Sequence, residues 1–555
     1  MDTKRSTRIF LQLTAITGLN LPFFRILDTS HLKLDTDDSP LIFSKVIGFS
    51  KNLNDFSHNP FYDISVGPTL TFASEWLVGL VIRVVDLSLP QAETFILLLT
   101  VNSLLASLTF FFSFFIKFPL IHASIAVWLL WFINPVYILR PISPGLNLAL
   151  LIFVITLIYQ STLNQNHTKF HLLIFLGISF LTFSYVFYAL IAYIFLIINR
   201  LTLQLWSCRF LLNNVLSFFA YSIPLVVYYL YSVLFANSSL LDLSFRWGVV
   251  NSHFPGAIRT TLTVLLGSIA TLTLDARLPR ATILSIFFSI LVLCNSQIIT
   301  GVSMEFDSHF YPPSAIFAIV VILLSANSLW QRLNSGLRRI NHFTPCAELV
   351  IALNVLLLNA LIYTTISSQT NAQQNQNIEL LQRIAADDLL VSRPKDAVFS
   401  APPSLREYVP LILENKILYA KAGTFFPMTN EEVLKRELLD KYLQGGFQTF
   451  TFQDLIISFE RHFINFSQKT AIERNFDFFN VSAREEALGY QYSDLFRVAQ
   501  HYQESLNSRE TLIAALNNFK VYYLILDSFP SEDVTKIFQC LPRHLWPTQL
   551  QICVR

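Results

Sequence analysis

The sequence predicts a polytopic α-helical membrane protein of about eleven transmembrane helices, closed by a C-terminal exoplasmic α/β domain. Three observations carry that prediction. Charged residues are 14% of the chain and the mean hydropathy is +0.50, whereas a soluble protein has about a quarter charged residues. Apolar runs of about 17–25 residues, the length that crosses a bilayer, recur through positions 1–367. The composition then changes abruptly. A polar linker at 368–377 leads into 378–555, which has ordinary charge density and no spanning run. The 51 phenylalanines and only 15 glycines suit lipid-facing helices.

Taken in order, the spans are expected at roughly 8–27, 69–87, 93–116, 119–138, 145–161, 170–198, 210–233, 259–275, 280–298, 313–330 and 346–367. The first carries Gln12, Asn20 and Pro22, but no small-x-small cleavage site follows it, so it reads as a retained span. The sixth is long enough for one tilted helix or two short ones. Lys and Arg favour the cytoplasmic side. With an inner N-terminus and eleven spans that side receives Arg140, Arg200, Arg209, Arg277, Arg280, Arg332, Arg338 and Arg339, while Lys117, Lys169 and Arg246 fall outside. Splitting the sixth segment in two would move Arg277, Arg280, Arg332, Arg338 and Arg339 outside, against that rule, so eleven spans is the better count.

Beyond the linker, "DAVFSAP" (396–402), "KILYAKAG" (416–423) and "KVYYLILDS" (520–528) read as strands. "TNEEVLKRELLDKYLQGG" (429–446) reads as a helix with Asn430 as N-cap, early acids and a glycine stop. The five cysteines show no C-x-x-C spacing; Cys540 and Cys553 can pair in an exoplasmic domain or stay unpaired. The net charge of +2 and the lack of a basic block give no reason to expect nucleic acid.

Three outer loops hold the candidate chemistry. The first (28–68) is too long for a simple connection. It places Asp35, Asp37 and Asp38 ahead of "PLIFSKVIGFSKNL", whose apolar spacing suits an interfacial helix. By local physics alone acids there read first as a helix start in a solvated loop. The functional reading is a carboxylate that accepts a proton from an attacking hydroxyl or amine, or helps hold a cation beside a phosphate. A second polar outer loop carries Glu305, Asp307 and His309 at spacings of two, on one side of an extended segment. A divalent metal is possible there, without a diagnostic spacing. The third holds Arg246, His253 and Arg259, which read equally as a phosphate-binding set, since Arg binds phosphate bidentately, and as arginines snorkelling at a helix end. Glu75, Arg83 and Asp86 fall within the expected second span, where charge is a functional hint. No Walker, dinucleotide, H-E-x-x-H or nucleophile-elbow motif is present, which leaves an ATP-driven pump or soluble-type hydrolase unsupported.

This layout resembles the GT-C type membrane glycosyltransferases, the superfamily of the oligosaccharyltransferases, protein O-mannosyltransferases and aminoarabinose transferases. The resemblance rests on the long acidic first outer loop, the number of spans, the exoplasmic C-terminal domain, and "SQIITGVSMEFDSHF" (296–310). That stretch is similar to a Q-x-x-T-G…H-F pattern of uncharacterised bacterial members. It implies an enzyme of the inner membrane that transfers a sugar from a polyprenyl-phosphate-linked donor to an exoplasmic acceptor. On that carry-over Asp38, then Asp37, then Asp35 serves as base or orients the acceptor. Arg246 or Arg259, with His253, faces the leaving phosphate. The chain departs from the superfamily in having neither a W-W-D signature nor a D-E pair at the start of the first loop. Two other classes stay open: a transporter or flippase of lipid-linked saccharides, and a non-catalytic envelope assembly protein.

Overall fold

The computed structural model describes residues 39–54, 61–62, 72–116, 119–133, 142, 145–163, 168–204, 208–234, 250–251, 258–274, 280–296, 298, 302–303, 307–334, 372–386, 396–420, 428–445, 492–527, 530–541 and 550–555. The expected spans 8–27 and 346–367 lie outside these residues. The helical part runs α1 (Ser39–Lys51), α2 (Ala73–Val85), α3 (Leu89–Phe112), α4 (Pro119–Ile133), α5 (Gly145–Leu163), α6 (Thr168–Ser184), α7 (Val186–Gln204), α8 (Cys208–Leu234), α9 (Ile258–Leu272), α10 (Arg280–Cys294) and α11 (Asp307–Asn334). Two short strands, β1 (Val250–Asn251) and β2 (Val302–Ser303), pair antiparallel.

This is a helical membrane protein. Windows of α3, α5 and α11 are long and apolar enough to cross a bilayer, and α4, α6, α7, α8, α9 and α10 hold shorter apolar runs. Helix α9 shows the physical signature most directly. Its outward stripe is Leu262, Leu265, Leu266, Ile269 and Leu272, all exposed, while Thr260, Val264, Gly267 and Thr271 face inward. That pattern is the reverse of a water-soluble amphipathic helix and puts apolar surface where lipid covers it. Gly267 is there because a Cβ would stand 2.5 Å from the Phe287 ring, so the small residue lets α9 and α10 pack closely.

Two expectations about the spans are corrected. The segment expected as one span at 170–198 is two antiparallel helices that reverse at Tyr185. His171, near the start of α6, lies 3.5 Å from the Arg200 guanidinium near the end of α7. In one continuous helix those residues would be about 40 Å apart. The segment expected as a span at 69–87 contains only α2, 13 residues long. Its start meets the end of α6, with the Phe72 N–H donating to Phe183 O at 2.7 Å. Its far end turns through Asp86, at φ 57°, straight into α3, whose first turn (Ala92, Ile96) packs with Ile82 and with Ile142, just ahead of α5. Both ends of α2 therefore sit at the same end of the bundle, and α2 lies along that end against α1. Gly79 sets this contact, since a Cβ there would stand 2.8 Å from that of Phe49. Val84 and Val85 are left exposed, which suits a helix at a membrane surface.

The bundle thus has two distinguishable ends. At one, Thr162 closes α5, Asn199 donates to its hydroxyl at 3.1 Å, and His171, Arg200 and Tyr221 cluster. At the other, Ser74 donates to Asn147 Oδ1 at 2.9 Å and the α6–α7 turn meets the start of α11.

The C-terminal part comprises α12 (Ala372–Ala386), β3 (Val398–Ser400), α13 (Val409–Ile412), β4 (Lys416–Ile417), α14 (Asn430–Leu443), α15 (Tyr492–Leu506), α16 (Arg509–Asn518), β5 (Val521–Leu526), α17 (Glu532–Thr535), β6 (Gln539–Cys540) and β7 (Gln551–Val554). The sheet order is β4-β3-β5-β7-β6, with β4, β3 and β5 parallel and β7 and β6 antiparallel. All three strands expected there are present. Alternate residues feed two cores. Phe399, Tyr523 and Ile525 face α12, whereas Val398, Leu524 and Leu526 face α14 and α16. The expected helix at 429–446 is α14, but its N-cap is Thr429, whose hydroxyl accepts from the Glu432 N–H at 3.2 Å. Asn430 is instead buried inside the first turn. Cys540 and Cys553 stand directly opposite on β6 and β7 and form a disulfide.

Candidate functional site

The second and third polar loops meet at the end of the bundle that holds α1 and α2. Pairing of Val250 with Ser303 and of Asn251 with Val302 ties the segment leading to Arg259 to the segment leading to His309. Arg259 opens α9 and is exposed; its guanidinium carbon lies over the Tyr311 ring, 3.7 Å from the ring centroid. Stacking of this kind leaves the in-plane N–H groups of an arginine directed outward, where a phosphate can be held. Two residues before Tyr311, the His309 ring stacks on Phe187 at 4.2 Å and 12°, and its Nδ1 is hydrogen-bonded to the Tyr185 hydroxyl. The reversal between α6 and α7 is what carries Tyr185 and Phe187 to this place.

Beside them, Asn295 donates to Thr261 Oγ1 at 3.0 Å and to Leu291 O at 3.1 Å. Its own Oδ1 is buried with no hydrogen-bond partner among the described residues. The Ser74–Asn147 and Phe72–Phe183 contacts hold the start of α2 in the same region, and α1, from the first outer loop, packs against α2 there. Described parts of all three loops therefore converge on one end of the bundle. The sites expected at Asp35, Asp37, Asp38, Arg246, His253 and Glu305 lie outside the described residues. Asp307 opens α11, with only its backbone described.

Tyr185, Asn295 and Thr261 were not singled out from the sequence. Tyr185 sits in an apolar run with no glycine or proline to mark a turn, and Asn295 reads as a loop boundary. The charges expected inside a span are placed differently. Arg83 and Asp86 are exposed on α2, whereas Glu75 is buried in the α1–α2 contact. Burial pushes the Glu75 carboxyl up, and the charge of Lys45 across the contact opposes this. Among the described residues no group of three His, Cys, Asp or Glu side chains is placed to hold a metal ion.

A second polar cluster lies at the carboxyl end of β3. Asp440 is 1% exposed. Its Oδ1 accepts from Ser400 Oγ at 2.7 Å, and its Oδ2 is 3.5 Å from Arg406 Nη2. Gln444 donates to Ser400 Oγ at 2.8 Å and to Ile525 O at 3.2 Å. Burial pushes the Asp440 carboxyl up to about 6, against the opposing pull of Arg406 and the Ser400 hydrogen bond. Because the folded value exceeds the unfolded one, the proton is held more tightly in the folded state. Stability from this group is fully present below pH 3.8 and is lost as pH rises through about 6. The two-unit difference corresponds to about 3 kcal/mol. Asp440→Asn keeps the acceptor for Ser400 and is expected to remove most of that dependence. Thermal unfolding of the wild type and the variant at pH 4.5, 6 and 7.5, values chosen to bracket the transition at about 6, measures it. Parallel profiles for the two proteins would refute the assignment.

No protein-family model matches the chain, and no curated protein matches it.

Proposed function

We propose that this chain is a GT-C-like membrane glycosyltransferase that moves a sugar from a polyprenyl-phosphate-linked donor to an exoplasmic acceptor. The observation that carries the reading is the meeting of the second and third polar loops at one end of the bundle, where β1 pairs with β2 and Arg259 lies over Tyr311, two residues after His309. A lipid-linked donor can keep its chain in the bilayer while its head group reaches that end. The stacked arginine then neutralises charge that develops on the leaving phosphate.

The revised helix arrangement supports the same orientation. Removing α2 from the spans and dividing the sixth segment leaves the number at eleven, counting 8–27 and 346–367. It also redistributes the charges. Lys117, Lys169, Arg200, Arg209, Arg277, Arg280, Arg332, Arg338 and Arg339 join Lys4, Arg5 and Arg8 on the inner side. Only Arg140, Arg246 and Arg259 remain on the outer side among the shorter connections. That asymmetry supports an orientation with the Arg259 end of the bundle and the C-terminal part outside, as expected of an inner-membrane enzyme.

Purified protein in liposomes, supplied with radiolabelled polyprenyl-phosphate hexoses and pentoses and an envelope-fraction acceptor, tests the proposal. Arg259→Ala is expected to lower kcat/KM by roughly 100-fold. Arg259→Lys is expected to recover little, because an ammonium neither stacks on Tyr311 nor binds phosphate in a fork. Unchanged turnover in both variants would overturn the assignment. Transbilayer movement of the labelled lipid with no sugar transferred would replace it with a flippase.

A further inference from the structure

The first outer loop does not end at the membrane part. Phe61 and Tyr62, from that loop, are 0% and 1% exposed and complete the core beneath the C-terminal sheet, among Leu381, Phe399, Tyr419 and Ile552. The Ile417 N–H donates to the Phe61 carbonyl at 2.9 Å, so the loop covers β4, the outermost strand of the sheet. The Tyr62 hydroxyl donates to Ala420 O at 2.9 Å and accepts from the Ala420 N–H at 3.2 Å. One phenol thus pairs both backbone polar groups of a single residue. Burial pushes the Tyr62 phenol up, which keeps it protonated as a donor at every physiological pH. The Arg436 guanidinium covers its ring at 4.7 Å.

The same domain grips α1 at a second place. Leu411 of α13 and Ile378 of α12 share a core with Ile42, Phe43 and Val46 of α1, and Lys51 at the end of α1 is ion-paired with Glu414. Helix α1 is therefore packed between α2 and the C-terminal domain. It begins at Ser39, directly after Asp37 and Asp38 in the chain.

We propose that the C-terminal domain is a clamp on the first outer loop, with Tyr62 as its positioning residue, and that it sets the place of α1. The catalytic consequence rests on the glycosyltransferase reading; the mechanical one does not. Two readouts on the full-length protein in liposomes keep these apart. Tyr62→Phe retains the ring in the core and removes both hydrogen bonds to Ala420. It is expected to raise amide hydrogen exchange in α1 by roughly tenfold, with smaller changes in β5 and β7. On the same variant kcat for sugar transfer is expected to fall by a similar factor while the donor KM holds, because the loop rather than the phosphate site is displaced. A Lys51→Cys/Glu414→Cys disulfide added to Tyr62→Phe is expected to restore both readouts, which a merely misfolded variant would not show. Unaltered α1 exchange in Tyr62→Phe and in Tyr62→Ala, with the C-terminal sheet still protected, would overturn the clamp. Faster α1 exchange in a protein whose wild type transfers no sugar would support the clamp and reject the glycosyltransferase reading.

Discussion

Replacing Cys540 and Cys553 with serine is expected to lower the stability of the C-terminal domain by about 3 kcal/mol. The bridge closes a loop with a sequence separation of 13 and joins directly opposite residues of β6 and β7. Its largest effect is on the unfolded chain, which loses loop entropy when cross-linked. Without it, the described pairing of β6 with β7 is two residue pairs and the Leu541 N–H to Ile552 O hydrogen bond, a short ladder prone to fraying at the edge of a sheet. Thermal unfolding of wild type, wild type with reductant, and the double variant measures the difference; the last two are expected to coincide. The same experiment addresses compartment, because disulfides persist outside the cytoplasm and are reduced within it. Quantitative alkylation of both thiols in protein taken directly from cells would contradict the proposed exoplasmic placement of this part of the chain.

Replacing Asp37 and Asp38 together by asparagine is expected to abolish measurable sugar transfer, a fall of roughly 10²–10⁴-fold if one of them acts as base. Asparagine is close in volume and still caps a helix, so α1, which starts at Ser39, is expected to remain in place against α2. The loss then reflects proton acceptance and not the fold. Of the single variants, Asp38→Asn is expected to account for most of the fall, Asp37→Asn for less and Asp35→Asn for least. Donor affinity is expected not to fall, since a carboxylate offers no donor to a phosphate. Direct binding of a polyprenyl-phosphate sugar, measured beside turnover, separates the two effects. Full turnover in the double variant would remove the carboxylates from the mechanism.

Much of the architecture is legible in local sequence. Burial in lipid or in a helix core demands long apolar runs, and nearly every such run within the described residues is a helix. Strands β3, β4 and β5 announce themselves through β-branched and aromatic residues between turn signals, as in "KVYYLILDS". Helix α1 follows from the apolar spacing of its sequence. The candidate site is legible only as three polar loops. Arg259 and His309 were marked by residue type, whereas Tyr185 and Asn295 gain their roles from neighbours supplied by other helices.

The sequence by itself determined the membrane class, the position of the polar C-terminal part, the strand segments and the loops that carry ionisable groups. Each of these depends on the composition of one contiguous stretch. Tertiary structure alone decided the rest. The reversal at Tyr185 has no glycine or proline to announce it, and its contacts to His309 are 124 residues away. Helix α2 is apolar enough to pass for a span, yet its packing against α1 lays it along one end of the bundle. The Tyr62–Ala420 clamp joins residues 358 apart, and the Cys540–Cys553 bridge depends on strand register. Apolar periodicity reports what a face is buried against only as a class, water or not water. It carries no information about which partner does the burying, and the site and its clamp are made of such partners.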